Sequence, residues 1–101
     1  MVDECFILKD WASRGFSGGV WEDRPERTWA GFVHAEDELM MVIQGEVELE
    51  IGGERLRLAP GQEVLIPAGT THTIRILGEL DVRWLYAYAR QTHTRLRTPA
   101  Y

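Results

Sequence analysis

The sequence predicts an all-β chain folded as a jelly-roll barrel of about eight strands, a double-stranded β-helix made of two facing sheets. Two observations lead there. Turn residues punctuate the chain every few positions, from Gly15 and Gly18-Gly19 through Gly45, Gly52-Gly53, Pro60-Gly61, Pro67 and Gly69 to Gly78. Between them lie short runs rich in Val, Ile, Leu and aromatic residues, several alternating apolar with polar as half-buried strands do.

Taken in order, residues 1–17 form an N-terminal arm with a short helix expected near Asp10 to Ser13. Val20-Trp21-Glu22 and Thr28 to His34 read as strands, and Trp11, Trp21 and Trp29, a heavy aromatic load for the first third, are expected to pack there. Glu38 opens a strand in which Met40 and Val42 share its face. Leu39, Met41 and Ile43 make the opposite face apolar too, so that strand is buried on both sides, by a dimer partner or by the N-terminal arm. A homodimer is the expected assembly. Glu46 to Ile51 alternates strictly, Gly52-Gly53 offers a two-residue turn, and Glu54 to Leu58 returns. That register sets Glu50 opposite Arg55, Glu48 opposite Arg57, Leu49 opposite Leu56 and Val47 opposite Leu58. Glu63 to Ile66 follows Pro60-Gly61, and Pro67-Ala68-Gly69 turns the chain into His72 to Ile76. The last strand, Val82 to Tyr88, carries Val82, Trp84, Tyr86 and Tyr88 on one side. The chain of 101 residues is expected to be one domain, with core motifs at 31–76 and a strand and tail at 82–101.

A net charge of −5 and the lack of a basic stripe argue against nucleic acid or an anionic membrane as partner. Arg90 to Arg97 is read as a solvated tail or edge strand and His93 as a surface residue. The single cysteine, Cys5, forms no internal disulfide and is taken as inert. Met1 to Asp10 carries Asp3, Glu4 and Lys9, which is unlike a signal peptide, so a cytoplasmic location is expected.

Spacing adds a more specific signal. His34 is followed after three residues by Glu38, and Glu38 after six by Gly45; further on, Gly61, Pro67, Gly69 and His72 fall at intervals of six, two and three. From Gly31 to Ile76 the chain resembles the conserved barrel of the cupin family, whose two motifs have these spacings. The resemblance implies that His34, Glu38 and His72 ligate one divalent metal. It departs at two places: Phe32 stands where the family has its first histidine, and Ile76 where an asparagine often closes the second motif.

The residues themselves support a site. If Ile74 and Ile76 face the interior, so does His72, and a buried imidazole or carboxylate needs a partner. Two imidazoles and a carboxylate suit Fe, Mn, Zn, Ni or Cu, and an incomplete protein shell leaves positions for water or substrate. The alternative is that Phe32 marks a lost site and that His34, Glu38 and His72 hydrogen-bond one another. Phe32, Met40, Trp84 and Tyr86 are candidate lining residues of a pocket, with Tyr88 on the same face, although these aromatics also suit plain core. The function expected is a small metal-binding barrel that binds a small organic molecule, and if it is an enzyme, one of metal-dependent oxygenase or isomerase type. A non-catalytic ligand-binding barrel and a metal-free isomerase or epimerase with a histidine base are the alternatives.

Overall fold

A computed structural model describes residues 3–24 and 28–90, with the backbone alone at 25–32 where it is described. The elements are α1 (Glu4–Ser13), β1 (Phe16–Asp23), β2 (Thr28–Phe32), β3 (Glu38–Gln44), β4 (Glu46–Ile51), β5 (Glu54–Leu58), β6 (Glu63–Ile66), β7 (His72–Leu77) and β8 (Val82–Ala89). They form two four-stranded antiparallel sheets, ordered β1-β8-β3-β6 and β2-β7-β4-β5. Eight strands in two facing sheets are the expected jelly roll, but the sheets do not close into one continuous barrel.

Strand alternation sorts the side chains into two cores. Met40 and Val42 of β3, Val47 and Leu49 of β4, Ile74 and Ile76 of β7, and Val82 and Trp84 of β8 meet between the sheets. On the outer side of the first sheet, Leu39, Met41, Leu85 and Ala87 pack with Trp11, and Ile7, Leu8 and Ile43 border them. The doubly apolar strand β3 is therefore covered by the chain's own helix, and the reason for expecting a partner on that face is met within the chain. The arm is also more helical than the expected single turn. The Asp3 side chain accepts a hydrogen bond from the Phe6 N–H and caps a helix that starts at Glu4. Trp11 is fully buried and its indole N–H donates to Glu63 at 2.8 Å, while Arg14 reaches the same carboxylate and Glu4 pairs with Arg83.

The hairpin has the expected register at every pair. Gly52 and Gly53 both take positive φ, 55° and 88°, as its tight turn demands. Glu50 keeps its cross-strand partner Arg55 at 3.8 Å, while the shorter ion pairs go to other partners. Arg75 of β7 sits between Glu48 and Glu50, and Arg57 turns to Glu46, because β4 is flanked by β7 as well as β5. Leu56, expected on the apolar face, is 41% exposed, since β5 is an edge strand. Among the described residues no helix is long and apolar enough to cross a membrane. The expectations for Trp29, for the Phe32 side chain, and for the tail with His93 lie outside the described residues.

Candidate metal centre

Three elements converge at one end of the space between the sheets. Strand β2 ends at Phe32, so His34 stands in the following loop rather than in the strand expected to run through it. That loop is tied to the turn before β7: Gly69 N–H donates to the His34 carbonyl at 2.9 Å, and Ala68 N–H donates to the Asp37 carboxylate at 2.7 Å. Gly69 takes a φ of 77°, which a side chain would strain, and this lets the turn present its N–H to the loop. The family-motif spacing of Pro67, Gly69 and His72 thus has a local physical reason. Glu38 begins β3 and lies opposite Ile66 and Tyr88 in the ladder, and His72 begins β7 opposite Ile51 and the Phe32 backbone.

Glu38 and His72 are 4% and 2% exposed, and His34 is half-buried. His34 Nε2 lies 3.5 Å from Glu38 Oε1, His72 Nε2 lies 3.7 Å from the same oxygen, and the two imidazole centroids are 5.1 Å apart. One ligand atom from each residue falls within 4.8 Å of the others, so the trio can hold a metal ion. His72 Nδ1 is 3.3 Å from the Thr70 carbonyl, which only accepts. The ring hydrogen therefore belongs on Nδ1, and a neutral His72 turns the lone pair of Nε2 toward Glu38. Glu38 Oε1 is buried and accepts no hydrogen bond. Two acceptors facing each other in a buried site need a cation or a proton between them. The donor set fits a divalent metal.

Burial shifts the titrations. It pushes the Glu38 carboxyl up to about 7. Burial also holds His72 below its ordinary value, opposed by the Thr70 carbonyl and reinforced by the neighbouring His34. Tyr88 is raised to about 12, first by burial and then by the negative charge of Glu38, with Tyr86 and Glu36 adding to it.

A cavity of about 320 Å³ opens beside the trio, lined by Trp21, Ile74, Trp84, Tyr86 and Tyr88 as well as His34, Glu38 and His72. Trp84 and Tyr86, expected to line a pocket, line this cavity. Met40 does not: it is fully buried in the core between the sheets, one step deeper than Glu38 on the same face, and does not line the cavity. Trp21, expected to pack in the first third of the chain, is 43% exposed and lines the cavity, paired with Trp84 across β1 and β8. Tyr88 Oη lies 3.4 Å from His34 Nε2, with ring centroids 4.9 Å apart. The signal for Tyr88 was its strand parity with Trp84 and Tyr86.

The fold is shared with known proteins. The chain is 34% identical over 56 residues to an uncharacterized protein of Streptomyces coelicolor, a stretch covering 55% of this chain and 52% of that one. It thus spans about half the length of that curated relative. The Schizosaccharomyces pombe Cnp3 cupin domain superposes with a TM-score of 0.72 at 20% identity, over 82% of this chain and 62% of that one. A predicted oxalate decarboxylase of Thermotoga maritima superposes with a TM-score of 0.68 at 18% identity, over 80% and 72% of the two chains. At those identities the likeness concerns the fold. The cupin domain family model matches residues 20–88, more than half of the sequence, and the chain therefore belongs to the cupin family.

Proposed function

We propose that this protein is a metal-dependent small cupin: His34, Glu38 and His72 hold a divalent transition metal, and the adjoining cavity binds a small organic molecule. The observation that carries it is Glu38 Oε1, buried without a hydrogen bond and facing both imidazoles at 3.5 and 3.7 Å. Those separations are longer than ordinary hydrogen bonds, which supports an ion among the three residues over the alternative in which they bond one another. A bound metal would supply Lewis-acid or redox chemistry to a molecule in the cavity. The chain's own residues do the rest. Thr70 fixes the His72 tautomer, and Ile74, Trp84 and Tyr86 form an apolar and aromatic wall beside the trio. The absence of an internal disulfide, with Cys5 the one cysteine, supports a cytoplasmic setting.

The experiment is the metal content of untagged protein by elemental mass spectrometry, beside a His34→Ala/His72→Ala double variant. Near-stoichiometric metal in the parent and none in the folded variant is the expected result. A parent that holds no metal and takes up none when it is added would overturn the reading.

One observation favours a second, metal-free reading. The Tyr88 hydroxyl near His34 provides an acid–base pair of the kind an isomerase or epimerase needs. Turnover of a ligand that survives exhaustive chelation would select it.

A further inference from the structure

The family's fourth metal ligand is absent here, with Phe32 at its place in the sequence. The structure offers a substitute from a different strand. Tyr88 Oη lies 3.4 Å from His34 Nε2, His34 Nε2 lies 3.5 Å from Glu38 Oε1, and Glu38 Oε1 lies 3.7 Å from His72 Nε2. A tetrahedral site with nitrogen and oxygen ligands at about 2.0–2.1 Å from the metal has ligand atoms about 3.3–3.4 Å apart. The four atoms therefore form a chain whose links are close to tetrahedral edges and slightly wider than them. Tyr88 is directly opposite Glu38 in the β3–β8 ladder, on the inner face of its sheet, and it lines the same cavity. Tyr86, two residues earlier, lines that cavity as well, with its ring centroid 6.0 Å from that of Tyr88.

We propose that the Tyr88 phenolate is the fourth protein ligand of the metal, replacing the missing histidine from strand β8. The proposal rests on the metal reading above and adds an anionic oxygen to it. On coordination the Oη–H bond is exchanged for an Oη–metal bond, and the proton passes to solvent through the cavity mouth. A ligand set of two imidazoles, a carboxylate and a phenolate carries two negative charges. It favours the harder, more highly charged transition ions over those selected by soft ligands.

The test is spectroscopic. Metal-free protein is loaded anaerobically with one equivalent of ferrous ion, oxidised with ferricyanide and desalted, and iron is counted in the same sample. The parent is expected to retain iron and to show a phenolate-to-iron charge-transfer band in the visible range, with resonance-enhanced phenolate vibrations. Tyr88→Phe is expected to lose the band, whether it retains the iron or holds it less tightly, while Tyr86→Phe keeps it. A parent that retains iron without such a band, or a band unchanged in Tyr88→Phe, overturns the assignment of Tyr88 and leaves the three-residue site standing. A parent that retains no iron and none of the other transition ions overturns the site itself. The Raman measurement on Tyr86→Phe separates the two cavity tyrosines without the other variant: a phenolate signature kept there assigns Tyr88 even if Tyr88→Phe folds poorly.

Discussion

Glu38 is where the demands of folding and of binding separate. Without a cation the folded chain keeps this carboxyl protonated up to about pH 7, whereas the unfolded chain releases the proton near 4.5. The stabilisation tied to that proton is complete below the unfolded value and is lost as pH rises through the folded one. In metal-free protein the loss from Glu38 amounts to about 2–3 kcal/mol between about pH 5 and about pH 8. His72 opposes it in the acid part of that range. Its folded value lies below 6.5, so its contribution grows as pH rises toward 6.5. Glu38→Gln removes the first effect and leaves the second, since a neutral amide has no proton to lose in this range. Urea unfolding in the presence of a chelator should therefore show the parent losing stability relative to Glu38→Gln as pH increases. The variant is expected to be the more stable protein above pH 7 and to bind metal poorly. Parallel pH profiles for the two proteins would show that Glu38 is ionised in the folded state without help from a metal.

Strand β1 shows how tightly an element can be constrained by its neighbour. A Cβ placed on Gly18 would come within 1.8 Å of the Tyr86 carbonyl oxygen, a backbone atom of β8 that cannot step aside. At Gly19 the nearest atom would be the Tyr86 hydroxyl at 3.6 Å, an ordinary contact. Gly18→Ala is expected to cost about 1–3 kcal/mol or more by forcing β1 from β8, and Gly19→Ala to stay within about 0.5 kcal/mol of the parent. Denaturant midpoints of the two variants check this, and equal losses would refute it. Such close approaches were invisible in the sequence, where the two glycines read only as turn residues. Other elements were legible because independent patterns agreed. In the β4–β5 hairpin the charges, the apolar alternation and the Gly52-Gly53 turn all required one register, and it is the one found. The inner face of β8 was legible from parity alone. What needed strand order was not: Arg75 draws Glu48 and Glu50 from a strand that is central only once the sheet is assembled. The same holds for the site. His34, Glu38 and His72 were found by spacing, while Tyr88 meets His34 across 54 positions of sequence through the β3–β8 pairing. The extent of α1 was signalled by Asp3, an N-cap residue, but Ile7, Leu8 and Trp11 make only a short apolar face for a helix of ten residues.

At the scale of the molecule, the candidate ligands come from both sheets. Glu38 opens β3 in the first sheet, while His72 opens β7 and His34 follows β2 in the second. Among the described strands no hydrogen-bonded ladder joins the sheets, so packing of the inner core holds them together, and a metal at this end would add a direct link. A ligand that binds only the folded state stabilises it by mass action, by about 4 kcal/mol at a free concentration a thousand times its dissociation constant. For a domain of this size each kcal/mol moves Tm by about 4–8 °C, so saturating zinc should raise it by on the order of 15–30 °C. The link also predicts where the rigidity appears. Amide hydrogen exchange should slow at the start of β3 and at the start of β7 together, with little change in β5, the edge strand at the far side of the second sheet. In the His34→Ala/His72→Ala variant neither the Tm shift nor the paired protection should occur. A rise in Tm that survives in that variant would place the bound zinc elsewhere on the chain. A rise in the parent with protection confined to one sheet would mean that the metal is held without joining the two.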